Sequence, residues 1–267
     1  MTTGWGRVGA DRWVVPAMDT VFSLVAPPLA GRAGADALVD ALIADWRDLE
    51  ARLSVFSPGS EVNRWREGRL ADAGRSPVLV EAVAACERLE ARTDGAFSAH
   101  YEGEFDPTGF VKGWALARSA RTLERAGVGA YCLNGGGDVV LRGTRADGTP
   151  WRVGVAHPYR PGVLATVITV PDGERLAVAT SGTSQRGAHI VHPGDGWRPR
   201  HSAVTVVGED MALVDPLATA ALALGRDGSA APSALVTRLG CEAFGFGEDG
   251  RPWWTPGMPR CAALPGA

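Results

Sequence analysis

The chain has 267 residues, 45% of them hydrophobic, with 30 acidic against 27 basic side chains and a formal net charge of −3. That composition supports a substantial core, excludes disorder as the default state, and offers no basic face for nucleic acid and no polybasic run for anionic lipid, so a small-molecule partner is expected. Four scattered cysteines with no CxxC pair argue against a zinc site or a disulfide framework, and no stretch reaches membrane-spanning length or forms an apolar leader, so the chain reads as cytoplasmic.

In chain order, residues 1–13 read as irregular and PAMDTVFSLVAP as one strand. ADALVDALIADWRDLEARLSVF follows as a helix, with Leu38, Leu42, Ile43, Trp46, Leu49 and Leu53 at helical spacing. SPGSEVNRWREG reads as a polar turn region. SPVLVEAVAACERLEARTDG is a second helix, with Ser76 as N-cap, Pro77 at the first helical position and Gly95 past the end. A third helix, VKGWALARSARTLERAG, closes on Gly127. Seven short segments rich in β-branched residues follow: AYCLN, DVVLRG, WRVGVAH, LATVITV, RLAVAT, HIVH and HSAVTVV. LVDPLATAALALG and APSALVTRLG are helices, and a hairpin around GEDG ends the pattern. No repeat or linker interrupts it, so the expected fold is a single α+β domain, a largely antiparallel sheet flanked by helices.

Of the 27 basic residues one is a lysine, Lys112, in FDPTGFVKGWA just before the third helix. A slim ammonium fits beside a phosphate oxygen where a guanidinium fork clashes, and a helix N-terminus favours anions. The other reading is drift in an arginine-rich composition. Four segments offer chemistry. In DPTGFVKG, Asp106 and Lys112 flank a turn centred on Gly109, which either admits a ligand to the backbone or simply joins strand to helix. In LNGGGDVVL, Gly136 and Gly137 precede Asp138, either as a phosphate-cradling bend or as a hairpin with a glycine bulge. No helix follows, so this is not a dinucleotide-binding fingerprint. In ATSGTSQRGAHIVHPGDG, Ser181 and Gly182 lead to His189 and His192, of which only one is expected to face a site. In LVDPLATAALALG, Asp215 and Thr219 lie four apart, matching one helix face. A carboxylate and a hydroxyl suit a hard cation such as Mg²⁺, whereas Pro216 at a first helical position makes Asp215 an ordinary N-cap. Both hold if the second carboxylate oxygen stays free.

In this order the segments resemble the ApbE family of FAD:protein FMN transferases. The resemblance rests on Met18-Asp19-Thr20, Ser54-Val55-Phe56 with Ser60-Glu61, Asp106 through Gly113, Gly136-Gly137-Asp138, Thr180-Ser181-Gly182, His189-Ile190, and Asp215 to Thr219. It implies an ApbE-like domain over residues 14–262 and Mg²⁺-dependent transfer of the FMN half of FAD to a Ser or Thr hydroxyl of an acceptor flavoprotein, releasing AMP. It further implies metal ligation by Asp215, Thr219 and the Gly109 carbonyl, and catalysis by Asp215 with His189 as the proton acceptor or a flavin contact. Nucleotide contacts are implied from Met18, Phe56, Asp106, Lys112, Gly136, Gly137, Asp138, Ser181, Gly182 and His189.

The chain departs from the family pattern at Asp19, where glycine is usual, at Thr183-Ser184, at His192 and Pro216, and at Arg66, commonly asparagine. The stretch between TDGAF and FDPTG is also short. These departures leave open two other activities, hydrolysis of FAD to FMN and AMP or FAD binding without turnover. The acceptor, the choice of Mg²⁺ over Mn²⁺ and the oligomeric state carry no sequence signal.

Overall fold

The computed structural model describes residues 6–100, 103–170, 173–183, 190–200 and 202–264. A nine-stranded antiparallel sheet runs in the order β1 (Gly6–Arg7), β2 (Arg12–Ala17), β3 (Thr20–Val25), β4 (Tyr131–Gly135), β5 (Asp138–Arg142), β8 (Arg175–Gly182), β9 (Ala203–Gly208), β10 (Glu242–Phe246) and β11 (Pro252–Trp254). A separate hairpin, β6 (Arg152–Ala156) with β7 (Leu164–Thr169), leaves the sheet between β5 and β8. Among the described residues there are six α-helices: α1 (Ala35–Leu53), α2 (Glu61–Arg66), α3 (Pro77–Arg92), α4 (Thr108–Arg125), α5 (Met211–Ala223) and α6 (Ala230–Arg238). The α+β expectation holds, with an antiparallel sheet as its centre.

Both faces of the central strands are covered, which is why their sequences lack a polar alternation. On β5 and β8, Val140, Ala177 and Ala179 join the helical core, while Val139, Leu141, Leu176 and Val178 join Phe244, Ile168 and Met258 under the β6–β7 hairpin. The small side chains on the helical side let α5 lie close to the sheet. α5 is apolar around most of its circumference because it is enclosed by α4, α6, β8 and β9.

Four local expectations are corrected. PAMDTVFSLVAP is not one strand: β2 and β3 pair antiparallel across a two-residue turn, with Ala17 opposite Thr20. Met18 and Asp19 both take left-handed φ, 52° and 54°, as a tight hairpin turn with matching twist requires. Neither is the usual Gly or Asn, so the turn has no sequence signal, and the conformation costs roughly 1 kcal/mol per residue. The stretch before residue 14 contains β1 and the start of β2. SPGSEVNRWREG contains α2, a helix too short to show a period, N-capped by the Ser60 hydroxyl accepting from the Asn63 amide. Ile190–His192 is not a strand.

The Ser60-Glu61 pair proves to be structural. Glu61 is buried and accepts from the Ser76 amide at 2.6 Å, the Ser76 hydroxyl at 2.7 Å and the Arg52 guanidinium at 3.0 Å, tying α1, α2 and α3 together. Burial pushes its pKa up, but the two Ser76 hydrogen bonds and Arg52 outweigh it and hold the carboxyl below its ordinary value. A depressed folded-state pKa gives stability that is complete above about pH 5 and lost as pH falls below about 4. Glu61→Gln is therefore expected to cost about 2 kcal/mol at pH 7. Thermal unfolding from pH 7 down to 3 checks this, because the gap between wild type and variant should close as the pH falls.

Candidate active site

Lys112 lies inside α4, not before it. The helix starts at Thr108, where Asp106 Oδ1 takes the Thr108 amide at 2.9 Å and the Asp106 amide donates to the Ala99 carbonyl at 2.7 Å. Gly109 and Lys112 thus share the first turns of a helix that is anchored in the core by Trp114, Leu116 and Leu123. The Lys112 ammonium contacts Asp138 Oδ2 and stands 3.3 Å from Asp215 Oδ2. Asp138 is 4% exposed and Asp215 is 8% exposed.

Each carboxylate is held by the backbone of a neighbouring element. Asp138 opens β5, and its Oδ1 accepts from the Thr180 amide on β8 at 3.2 Å. Asp215 Oδ2 accepts from the Gly113 amide at 2.9 Å, a bond between residues 102 apart in sequence. Asp215 is not the N-cap of α5: the helix begins at Met211, Asp210 caps it by accepting from the Ala212 amide at 3.1 Å, and Pro216 sits inside. Asp215 is therefore free for the site, and Thr219, one turn on, faces the same way. Thr219 Oγ1 lies 3.2 Å from Ser181 Oγ, joining α5 to the end of β8.

Gly113 is a site residue that the sequence reading passed over. A Cβ there would meet Asp215 Cβ at 2.6 Å and the Met211 carbonyl at 2.7 Å, so α4 and α5 cross at this glycine. Its sequence signal was its place at the end of the Asp106–Gly113 stretch, which gave it no role of its own. Helical spacing places the Gly109 carbonyl beside the Gly113 amide, and Phe97 packs against Gly109 itself.

The glycine run is a two-residue hairpin turn, with Gly136 at φ 62° and Gly137 at φ 102°, and Gly135 paired to Asp138. Both turn amides are already engaged: Gly136 donates to the Val21 carbonyl at 3.2 Å and Gly137 to Asn134 Oδ1 at 3.2 Å. What the turn offers a ligand is close approach, since no atom lies within 4 Å of a Cβ built on Gly137. Met18 packs partly on the helical core, and Gly182 pairs with Ala203. Phe56 is 74% exposed on a loop that Asn63 Nδ2 pins through the Val55 and Ser57 carbonyls, both at 2.9 Å. Arg66, on α2, pairs with Glu104 and so ties α2 to the short segment before Asp106. His189 lies outside the described residues. His192 Nδ1 is 3.0 Å from Asp195 Oδ1.

Lys112, Asp138, Asp215, Thr219 and Ser181 therefore form one cluster, whereas no hydrogen bond or ion pair among the described residues joins Met18, Phe56 or Asp106 to it. Among the described residues the two buried carboxylates share one ammonium, which leaves a net negative charge. No group of three or more His, Cys, Asp or Glu stands ready to hold a metal among them. The donors available are hard oxygens, one carboxylate and two hydroxyls, and that set with uncompensated charge fits a hydrated Mg²⁺ completed by a ligand's phosphates. A cavity of about 690 Å³ opens beyond the C-terminal end of α5, lined in part by Thr93, Ser98, His100, His192, Leu224 and Arg238. Among the described residues no helix is long and apolar enough to cross a membrane.

Known proteins resemble this chain. The family model described as the ApbE family matches residues 98–244, more than half of the chain. An FAD:protein FMN transferase of Vibrio cholerae is 31% identical over 133 residues, 46% of this chain and 39% of that protein. One from Salmonella typhimurium is 27% identical over 159 residues, 54% of this chain and 44% of that protein. The matched part of the chain thus spans less than half the length of these curated relatives. The solved flavin transferase ApbE from Vibrio cholerae superposes with a TM-score of 0.76 at 19% identity, covering 95% of this chain and 100% of that one. The apo flavinyl transferase ApbE of Pseudomonas stutzeri gives 0.77 at 22% identity, with 95% and 96% covered. The shared fold runs nearly end to end and the family model spans the α4, β5, β8 and α5 residues of the cluster: the chain belongs to the ApbE family.

Proposed function

We propose that the chain transfers the FMN half of FAD to a Ser or Thr hydroxyl of an acceptor flavoprotein, with Mg²⁺ as cofactor and AMP as the leaving product. The observation that carries the reading is the buried Asp138–Lys112–Asp215 arrangement beside the Ser181–Thr219 hydroxyl pair. Phosphoryl transfer needs positioning and charge neutralisation more than covalent help, and the cluster supplies both signs of charge on rigid elements. The acceptor oxygen bonds to the FMN phosphorus as the diphosphate bridge to AMP breaks, and the hydroxyl proton passes to a base.

Asp215, Thr219 and the Gly109 carbonyl would hold the cation, whose chemistry is to neutralise the diphosphate and polarise its oxygens. Lys112 contacts phosphate oxygens, and the Gly136–Gly137 turn, open at Gly137, admits the phosphate chain next to Asp138. Ser181 and Gly182 border the same chain at the end of β8. Phe56, presented outward on a pinned loop, suits stacking on the isoalloxazine ring, with Met18 and Asp106 lining the approach; such stacking contributes on the order of 1 kcal/mol beyond area burial. His189, outside the described residues, is the candidate proton acceptor or a flavin contact, as the resemblance implies.

Incubation with FAD, Mg²⁺ and a flavin-acceptor domain, followed by intact-mass measurement, is expected to add one FMN to the acceptor and none when EDTA is present. Absence of adduct across several acceptors contradicts the reading. Product analysis without any acceptor separates transfer from hydrolysis to FMN and AMP, and tight FAD binding with no product marks a non-catalytic binder.

A further inference from the structure

The two carboxylates around Lys112 are fixed, and the lysine is not. Asp138 is held at the first residue of β5 by the Thr180 amide, and Asp215 is held in α5 by the Gly113 amide. Lys112 reaches both on a four-carbon stem, and its side chain is 25% exposed, so it is the member able to leave. Asp215 Oδ2 is the contested atom. It faces the Gly113 amide at 2.9 Å and the Lys112 ammonium at 3.3 Å, and it belongs to the carboxylate that, with Thr219, offers oxygens to a divalent cation. An ammonium and a dication held against one buried carboxylate repel each other, and that repulsion is little screened there. Asp138 gives the ammonium a second anchor, and that contact is the closer of the two.

We infer that Lys112 is a resident counter-ion of Asp215 that withdraws towards Asp138 and the phosphates of an incoming diphosphate when a divalent cation takes the Asp215 carboxylate, so that cation and nucleotide binding are coupled through one side chain. The inference rests on reading Asp215 and Thr219 as a cation site and adds a role for Lys112 that transfer itself does not require. Alone, a cation competes with the ammonium and binds weakly. With a diphosphate present the ammonium has another anion to meet, the cation binds more tightly, and the effect is reciprocal. An arginine would not serve, because its planar fork cannot pivot about one point between two carboxylates and a phosphate. That accounts for the one lysine among 27 basic residues standing here.

The test is a Mn²⁺ titration followed by electron paramagnetic resonance of the free ion, on the full chain and on Lys112→Gln, with and without ADP. Without nucleotide, Lys112→Gln is expected to bind Mn²⁺ at least about tenfold more tightly than wild type, and the enhancement by ADP should shrink by the same factor. Equal or weaker Mn²⁺ binding by the variant overturns the inference, as does failure of both proteins to bind Mn²⁺ at all. Should Lys112→Gln not fold, wild type suffices. With a single lysine, a chain labelled with ¹³C at the lysine ε position gives one side-chain resonance, expected to shift on adding Mg²⁺; an unmoved resonance overturns the inference. Neither measurement uses FAD or an acceptor protein, so a failed transfer assay and a failed counter-ion test remain separate results.

Discussion

Asp215→Asn is expected to lower FMN transfer by at least about 10²–10³-fold while leaving the fold intact. The carboxylate supplies the only negative charge that α5 brings to the cluster, and the amide cannot replace it towards a cation. Its carbonyl oxygen still accepts from the Gly113 amide, which in the wild type reaches Asp215 Oδ2 at 2.9 Å. Lys112 keeps Asp138 as its partner, so the change turns two carboxylates around one ammonium into a neutral pair. Thermal stability should therefore hold or rise as turnover collapses. Asp210→Ala is the matched control: Asp210 caps α5 through the Ala212 amide, and its loss is expected to cost about 1 kcal/mol and leave the rate nearly unchanged. Rates from intact-mass time courses and melting temperatures, measured on both variants, separate the two roles. Equal transfer by Asp215→Asn and wild type would remove Asp215 from the chemistry.

Gly113→Ala is expected to carry the largest stability cost of any single methyl added near the site, about 3 kcal/mol. The new Cβ falls 2.6 Å from Asp215 Cβ, 2.7 Å from the Met211 carbonyl and 2.9 Å from Asp215 Oδ2. Two of these three atoms belong to the carboxylate residue itself and the third to helix backbone, so relief requires α4 and α5 to separate. Alanine's better helix propensity offsets only about 1 kcal/mol. Separation also pulls Lys112 and Asp215 out of register, so transfer should fall further than the loss of folded protein explains. Urea unfolding and specific activity per folded molecule check both parts. A variant as stable and as active as wild type would mean that the helices do not cross so tightly.

Much of this architecture was legible in the sequence because its cues are local. Ser76 and Pro77 announce α3, and the Ser76 hydroxyl does accept from the Leu79 amide. The four-residue spacing of Asp215 and Thr219 puts both on one face of α5 whatever residue starts the helix. The cap of α5 was not legible, because Pro216 imitates a first helical position while the true cap, Asp210, stands six residues before it. The Met18–Asp19 turn was hidden because neither residue advertises a left-handed φ. Three glycines in a row suggest free amides, yet β3 and Asn134 consume two of them, and only the folded sheet brings those acceptors near. Gly113 matters through partners about a hundred residues away, and no pattern read along the chain reports that. Residue types can be read along the chain, while the distances between them are properties of helix crossing and strand pairing.

The most direct measurement is anomalous X-ray diffraction from crystals of the full chain grown with FAD and Mn²⁺. The account requires a manganese peak between the Asp215 carboxylate and the Thr219 hydroxyl, with the diphosphate of FAD against it and Lys112 turned from Asp215 to phosphate. A peak elsewhere, or an FAD diphosphate bound with Lys112 still on Asp215 and no manganese beside it, would contradict it.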